Sequence, residues 1–204
     1  MARSAQRSQP RTEGPVIPLL TSSFLILRHG RTPMNASDRI AGSLDVGLDA
    51  TGRAEAETAA VVLAAQDFAA IWCSPLLRAR QTAAAVAART GHKVQIVPDL
   101  AERCWGDWQG QPRAILRREA TPPGGENPEV FAARTRAGLA RITPPLPVLI
   151  VAHSGTARVL ADLLAPDTTL PRLGNAEALR WSRAPDGRWQ AVSLNRRCPV
   201  PDQP

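Results

Sequence analysis

Tyrosine is missing from this 204-residue chain, lysine occurs once, at Lys93, and all aromatic residues together make up 4%. A core without aromatic bulk has to be packed from Ala, Leu, Val and Ile. At 44% hydrophobic residues the chain has enough of them for one globular domain. Cysteine is scarce as well. Cys73, Cys104 and Cys198 are an odd number, with no Cys-x-x-Cys pair and no Cys/His cluster at metal-ligand spacing. That excludes a disulfide framework and a structural zinc site, and makes reduced thiols in the cytoplasm the expectation. No apolar run approaches the ~18 residues of a membrane span. Residues 1–20, basic and proline-containing, hold no signal-peptide core of ~7–15 apolar residues. They read as a disordered tail ahead of a single domain over 21–197, with a C-terminal tail at 198–204. No membrane partner is expected.

All but one of the 25 basic residues are arginine, and the formal charge is +7. Such a balance can mark a nucleic-acid binder, but these arginines are scattered, not clustered with interleaved aromatics. Alanine is abundant too, so the arginine excess has the look of GC-rich coding. Most of it reads as solvated surface, with a share able to attract anionic substrates. No nucleic-acid partner is expected.

Strand-like and helix-like segments alternate, which predicts an α/β fold. Phe24–Leu27, Ala70–Cys73, Val94–Val97 and Val148–Ala152 read as strands, and Ala178–Ser182 and Trp189–Leu194 as late edge strands. Helices are expected over Thr51–Ala65, Leu76–Arg89, 127–141 and Ser154–Leu164. Ser74-Pro75 and Asn127-Pro128 each read as a helix cap followed by a first-turn proline. Residues 105–125 look irregular, with a short helix at 112–119.

There are three histidines. His29 and His153 follow strands, the place where open α/β sheets bind ligands, while His92 sits in a turn. Arg28 adjoins His29, and Arg78 lies in the first turn of the helix after Ser74-Pro75, where free N–H groups already favour anions. Two arginine forks, two histidines and a helix start make a pocket for a dianion such as a phosphoryl group. A neutral histidine in it can attack phosphorus. Glu102, after the third strand, can supply the proton that the leaving oxygen needs.

The segments "LRHGRTPMN" with Arg39 and "AGSLDVGLDATG" following, "CSPLLRARQTA", "LAERCWGDWQG", "PPGGENPEVFAAR" and "VLIVAHSG" occur in an order that resembles the histidine phosphatase (phosphoglycerate mutase-like) superfamily. The resemblance spans about residues 22 to 160. It implies a three-layer α/β/α sandwich around a mostly parallel sheet. It implies His29 as the phosphorylated nucleophile and Glu102 as proton donor. Arg28, Arg78 and His153 are then the phosphoryl-binding groups, with Asn35 lining the pocket. It implies no metal or organic cofactor, and a small phosphorylated molecule as substrate. Four positions depart from the pattern. Arg31 stands where Glu, Gln or Lys is usual, as a substrate-selecting cation or as a rim residue in water. Cys73 replaces a serine, Asn127 replaces a serine and caps equally well, and Leu48-Asp49-Ala50 replaces the usual Leu-Thr.

The same pocket serves a phosphatase, which admits water to the phosphohistidine, or a mutase, which excludes it. Only 20 positions separate Trp105 from Gly125, too few for a large lid of the mutase kind, and this favours the phosphatase. "RRE" at 117–119 keeps the mutase alternative open. A catalytically dead phosphate-binding module would be expected to lack His29 or Glu102, and both are present. A cysteine phosphatase would need Cys-x5-Arg, whereas "CSPLLR" is Cys-x4-Arg.

Overall fold

The computed structural model describes residues 17–168 and 172–195. One six-stranded sheet organises them, with strand order β3-β2-β4-β1-β5-β6. The strands are β1 (Phe24–Arg28), β2 (Ala70–Cys73), β3 (Val94–Ile96), β4 (Val148–Ala152), β5 (Ala178–Arg183) and β6 (Trp189–Ser193). β3, β2, β4 and β1 run parallel; β5 pairs antiparallel with β1, and β6 with β5. The sheet is therefore mixed. Every residue of β1 and β4 is buried, which is why both read as unbroken apolar runs in the sequence.

Side-chain alternation in these central strands builds two cores. Leu25, Leu27, Leu149 and Val151 pack with α2 (Ala50–Ala64) and α3 (Leu77–Thr90). Phe24, Ile26, Ile150 and Ala152 pack on the other side with α4 (Pro128–Ala140) and α5 (Ser154–Leu164). The result is helix, sheet, helix in three layers. Small alanines dominate the inward faces of α2 and α3, among them Ala59, Ala60, Ala79 and Ala83, so these helices lie close to the sheet and no bulky aromatic is needed. Trp181 stacks on Phe24 at 6.4 Å and supplies much of the large buried volume on the opposite side.

β1 and β4 are neighbours, yet the chain leaves them in opposite directions. After β1 it crosses with α2 to β2, and after β4 it crosses with α5 to β5. This divergence leaves a crevice at their carboxyl ends, where His29 and His153 sit. Among the described residues no helix is long and apolar enough to cross a membrane.

Three local expectations are corrected. α3 starts at Leu77, with Leu76 as its cap, and not at Ser74-Pro75. The Ser74 hydroxyl is held by His153, and Asp45 Oδ1 from a distant loop takes the Leu77 N–H at 2.5 Å. The local bond from the Leu76 N–H to Ser74 Oγ is long, 3.3 Å, and long-range partners take over the capping. The helix expected at 112–119 is a single 3-10 turn, Arg113–Ile115. Pro18–Thr21 forms a 3-10 turn with Leu19 fully buried in the core, so the ordered chain begins ahead of residue 21; residues 1–16 and 196–204 lie outside the described ones. Asn127, by contrast, caps α4 as expected, its side chain accepting from the Val130 N–H at 2.7 Å.

The turn carrying His29 lies against the start of α2. A Cβ on Gly52 would overlap the Arg31 carbonyl oxygen, and one on Gly30 would overlap the Gly52 carbonyl. Backbone meets backbone here, so neither side can yield cheaply. Gly52→Ala is expected to cost about 2 kcal/mol and to lower Tm by on the order of 5 °C. Differential scanning calorimetry showing an unchanged Tm would contradict this close approach.

Candidate active site

His29 ends β1, and its N–H donates to the Ala152 carbonyl at 3.0 Å, so the β1–β4 pairing itself delivers it to the crevice. Its ring is buried. Nδ1 lies 2.8 Å from the Gly30 carbonyl oxygen. A carbonyl only accepts, so Nδ1 carries the proton. Nε2 lies 3.2 Å from Arg78 Nε, and a guanidinium only donates. Both contacts select one tautomer, with a lone pair on Nε2. Burial first, then the charges of Arg78 and Arg28, hold this imidazole well below its usual pKa. It is a neutral base.

Arg78 reaches the site from the first turn of α3 and is buried. Nη1 donates to the Leu44 carbonyl and Nη2 to the Gly42 carbonyl, each at 2.7 Å, which leaves one N–H on each nitrogen. Those bonds fix the guanidinium plane beside His29. Thr82, one turn on, accepts from the Gly30 N–H at 3.1 Å and ties the same helix to the His29 turn. Arg28 is also buried, with Nη1 donating to Leu173 O at 2.7 Å and Nε without a hydrogen-bond partner. Desolvation and then the neighbouring Arg172 charge bring its pKa down to about 10.

Glu102 enters from the loop after β3. Oε1 accepts the Arg103 N–H at 2.9 Å and Oε2 accepts the Gly155 N–H, at the start of α5, at 3.0 Å. A Cβ on Gly155 would overlap Oε1, so the glycine after His153-Ser154 is what lets the carboxylate in. Arg103 braces this loop from below: its guanidinium donates to the carbonyls of Glu126, Arg118 and Ala120 and stacks over Trp105 at 4.0 Å.

Arg28, His29, Asn35, Arg78 and Glu102 line one cleft, together with Arg39, Trp105, Arg113, Arg118, Ser154, Gly155 and Arg158. Five of the six residues expected from the sequence are brought together in it. His153 is the exception. It is fully buried, its ring centroid is 5.2 Å from that of His29, and its neighbours Ser154 and Gly155 form the cleft wall. Its Nε2 meets Ser74 Oγ at 2.7 Å, and Nδ1 has no hydrogen-bond partner. Burial, then Arg78 and His29, push its pKa well down too. Asn35 lines the cleft but also holds α1 (Pro33–Ala36), its Oδ1 accepting from the Thr32 N–H at 3.2 Å and from Asn175 Nδ2 at 3.2 Å.

Arg31 turns away. Its Nε pairs with Asp49 Oδ2 at 2.9 Å and Nη2 donates to Thr51, so it is not part of the cleft lining. Asp49, the departure at 48–50, caps α2 through the Gly52 N–H at 2.7 Å and draws Arg31 with it. The sequence reading missed Arg113 and Arg158 as lining residues, and met Arg118 only within "RRE" at 117–119. They fall in no common motif, and only the fold brings them to one place.

The folded pKa values of His29 and His153 lie below the unfolded value near 6.5. On acidification the unfolded chain therefore takes up these protons first. Stability present above about pH 6.5 is lost below it, by up to about 1.4 kcal/mol per pH unit for each histidine. Urea unfolding between about pH 8 and 5 should show this decline, with a shallower slope in His153→Asn. Flat stability across that window would contradict neutral burial of the pair.

A family model described as histidine phosphatase superfamily (branch 1) matches residues 24–197. A glucosyl-3-phosphoglycerate phosphatase of Mycobacterium tuberculosis is 34% identical over 192 residues, covering 81% of this chain and 86% of that protein. An adenosylcobalamin/alpha-ribazole phosphatase of Escherichia coli is 30% identical over 189 residues, covering 84% and 90%. Among solved structures, a mycobacterial glucosyl-3-phosphoglycerate phosphatase complexed with VO3 superimposes with a TM-score of 0.76 at 31% identity, covering 86% of this chain and all of that one.

Proposed function

The chain belongs to the histidine phosphatase superfamily, and from that premise we propose that it is a phosphomonoesterase working through a covalent phosphohistidine at His29. The observation that carries the reading is the neutral His29, its Nε2 lone pair held against Arg78 in a cleft shared with Arg28 and Glu102. The relatives whose names state an activity on glucosyl-3-phosphoglycerate or alpha-ribazole phosphate support a small phosphorylated metabolite as substrate.

In this reading the phosphoryl group enters the cleft against His29 and Arg78 and takes the place of the hydrogen bond between them. Nε2 donates its electron pair to phosphorus as the bond to the leaving oxygen breaks. Arg78 and Arg28 balance charge on the equatorial oxygens. His153 backs this pair, oriented by Ser74. The Glu102 carboxyl gives its proton to the leaving oxygen. A water then attacks the phosphohistidine, Glu102 takes back a proton, and the N–P electron pair returns to His29. No step calls on a metal or organic cofactor.

The segment between Trp105 and Gly125 favours hydrolysis over internal transfer. It contains only two 3-10 turns, Gly106–Trp108 and Arg113–Ile115. Backbone bonds from Ile40 to Gln111 at 2.9 Å and from Arg113 to Asp38 at 2.8 Å pin it to the loop after α1. A strip held down in this way is not a lid that seals a phosphohistidine from water. The two free thiols among the described residues, Cys73 and Cys104, are consistent with a cytoplasmic enzyme.

p-Nitrophenyl phosphate hydrolysis in the presence of a chelator tests the reading. Turnover is expected in the native protein and loss of at least about 10³-fold in His29→Ala. Glu102→Gln should slow alkyl phosphates far more than p-nitrophenyl phosphate, because poor leaving groups need the proton. Turnover surviving in His29→Ala would sink the covalent route; equal slowing of both substrate types would remove Glu102 from the acid role. Phosphoryl transfer to a hydroxy acid outrunning phosphate release would favour the mutase.

A further inference from the structure

Four arginines surround the mouth of the cleft, and among the described residues none of them is in an ion pair. Arg113 and Arg118 lie between Trp105 and Gly125, Arg158 on α5, and Arg172 on the loop before β5. The first three line the cleft. Arg113 and Arg172 also line an adjoining hollow of about 320 Å³, which shares Arg28, Asn35 and Arg39 with the cleft. Five arginines elsewhere in the fold meet acids: Arg31 with Asp49, Arg89 with Glu57, Arg134 with Glu126, Arg141 with Asp99 and Arg188 with Asp186, at 2.7–3.6 Å. Among the described residues none of the four rim arginines has an acidic oxygen within 4.0 Å. Glu102 in the cleft attracts Arg113 and Arg158, Asp38 in the adjoining hollow attracts Arg113 and Arg172, and Asp162 attracts Arg158, all across longer distances.

These guanidinium groups act on one another. Beyond desolvation, Arg172 and Arg118 lower the pKa of Arg113, and Arg118 lowers those of Arg158 and Arg172. The field continues inward, since Arg172 is the largest charge acting on Arg28. Coding bias accounts for how many arginines the chain has. It does not account for four of them converging on one opening where none is ion-paired. Converging like charges cost stability, and an anion seated among them offsets that cost.

We propose that the substrate bears a second anionic group, a carboxylate or a second phosphate, on the part that remains outside the cleft, and that Arg113, Arg118, Arg158 and Arg172 hold it. This rests on the phosphomonoesterase reading and narrows it. A guanidinium fork matches either oxyanion with paired N–H bonds. A phosphomonoester with a neutral tail leaves these four cations unmatched. The same ring of charge draws anionic-tailed substrates toward the opening, an attraction that salt weakens.

Matched substrate pairs test this. Glycerol 3-phosphate against 3-phosphoglycerate isolates a carboxylate; fructose 6-phosphate against fructose 1,6-bisphosphate isolates a second phosphate; p-nitrophenyl phosphate is the reference without either. At low ionic strength kcat/KM should favour the extra anion by at least about tenfold in one pair or both, and the winning pair identifies the oxyanion. Arg113→Gln and Arg158→Gln should each shrink that preference by about tenfold, measured as the ratio within a pair. Their Tm should not fall, which separates lost binding from lost fold. Equal kcat/KM within both pairs, or a preference that survives both substitutions, overturns the second-anion site and leaves the phosphatase reading standing. Failure of the native protein to hydrolyse any of the five compounds overturns the phosphatase reading, and the second-anion site with it.

Discussion

A buried imidazole stands between two buried guanidinium groups, and the site depends on keeping that imidazole neutral. Arg78 Nε lies 3.2 Å from His29 Nε2, and a protonated Nε2 there would set donor against donor and charge against charge. The Gly30 carbonyl, 2.8 Å from Nδ1, fixes the proton on the far side of the ring. One base is thereby made available, at one atom, facing a cation that can also bind an anion. Burial and the Arg78 and Arg28 charges depress the pKa against the opposing Gly30 bond, while the Gly30 and Arg78 contacts together aim the lone pair.

The fold exists around this constraint. Parallel pairing of β1 with β4 places two histidines at adjacent strand ends, and the divergence of the chain beyond them opens the crevice. α3 starts late, at Leu77, because Ser74 is engaged by His153 and because Asp45 caps the helix from outside. Arg78 then stands in the first turn with its side chain lying across to His29. Close approach of Gly30 and Gly52 locks the His29 turn against α2, and Gly155 leaves room for the Glu102 carboxylate. Each glycine is a place where a side chain would push a reacting group out of line.

Much of this was legible in the sequence, and for physical reasons. β2 and β4 are found over the expected residues because strands buried on both faces are uninterrupted apolar runs. Asn127-Pro128 marks the start of α4 because cap and first-turn proline act locally. His29, Arg78 and Glu102 were readable as a set because they sit in short ordered blocks. What could not be read depends on partners distant in sequence. Ser74 looked like a cap, but His153 claims it. Arg31 reads from sequence equally as a substrate-selecting cation or a rim residue in water, and Asp49 decides it by turning it outward. His153 reads from the resemblance as a phosphoryl-binding group, and it stands buried against His29 while Ser154 and Gly155 line the cleft. The rim arginines, spread from 113 to 172 with no spacing rule, become a group only when the chain is folded.

Direct trapping of the intermediate tests the central claim most closely. The native protein is mixed with p-nitrophenyl phosphate, quenched in base within milliseconds, digested and analysed by mass spectrometry. A neutral, nucleophilic His29 predicts a phosphoryl group on the peptide containing His29, stable in base and lost in acid. Phosphate released at full rate with no phosphorylated peptide, or with the phosphoryl group on another residue, would contradict it.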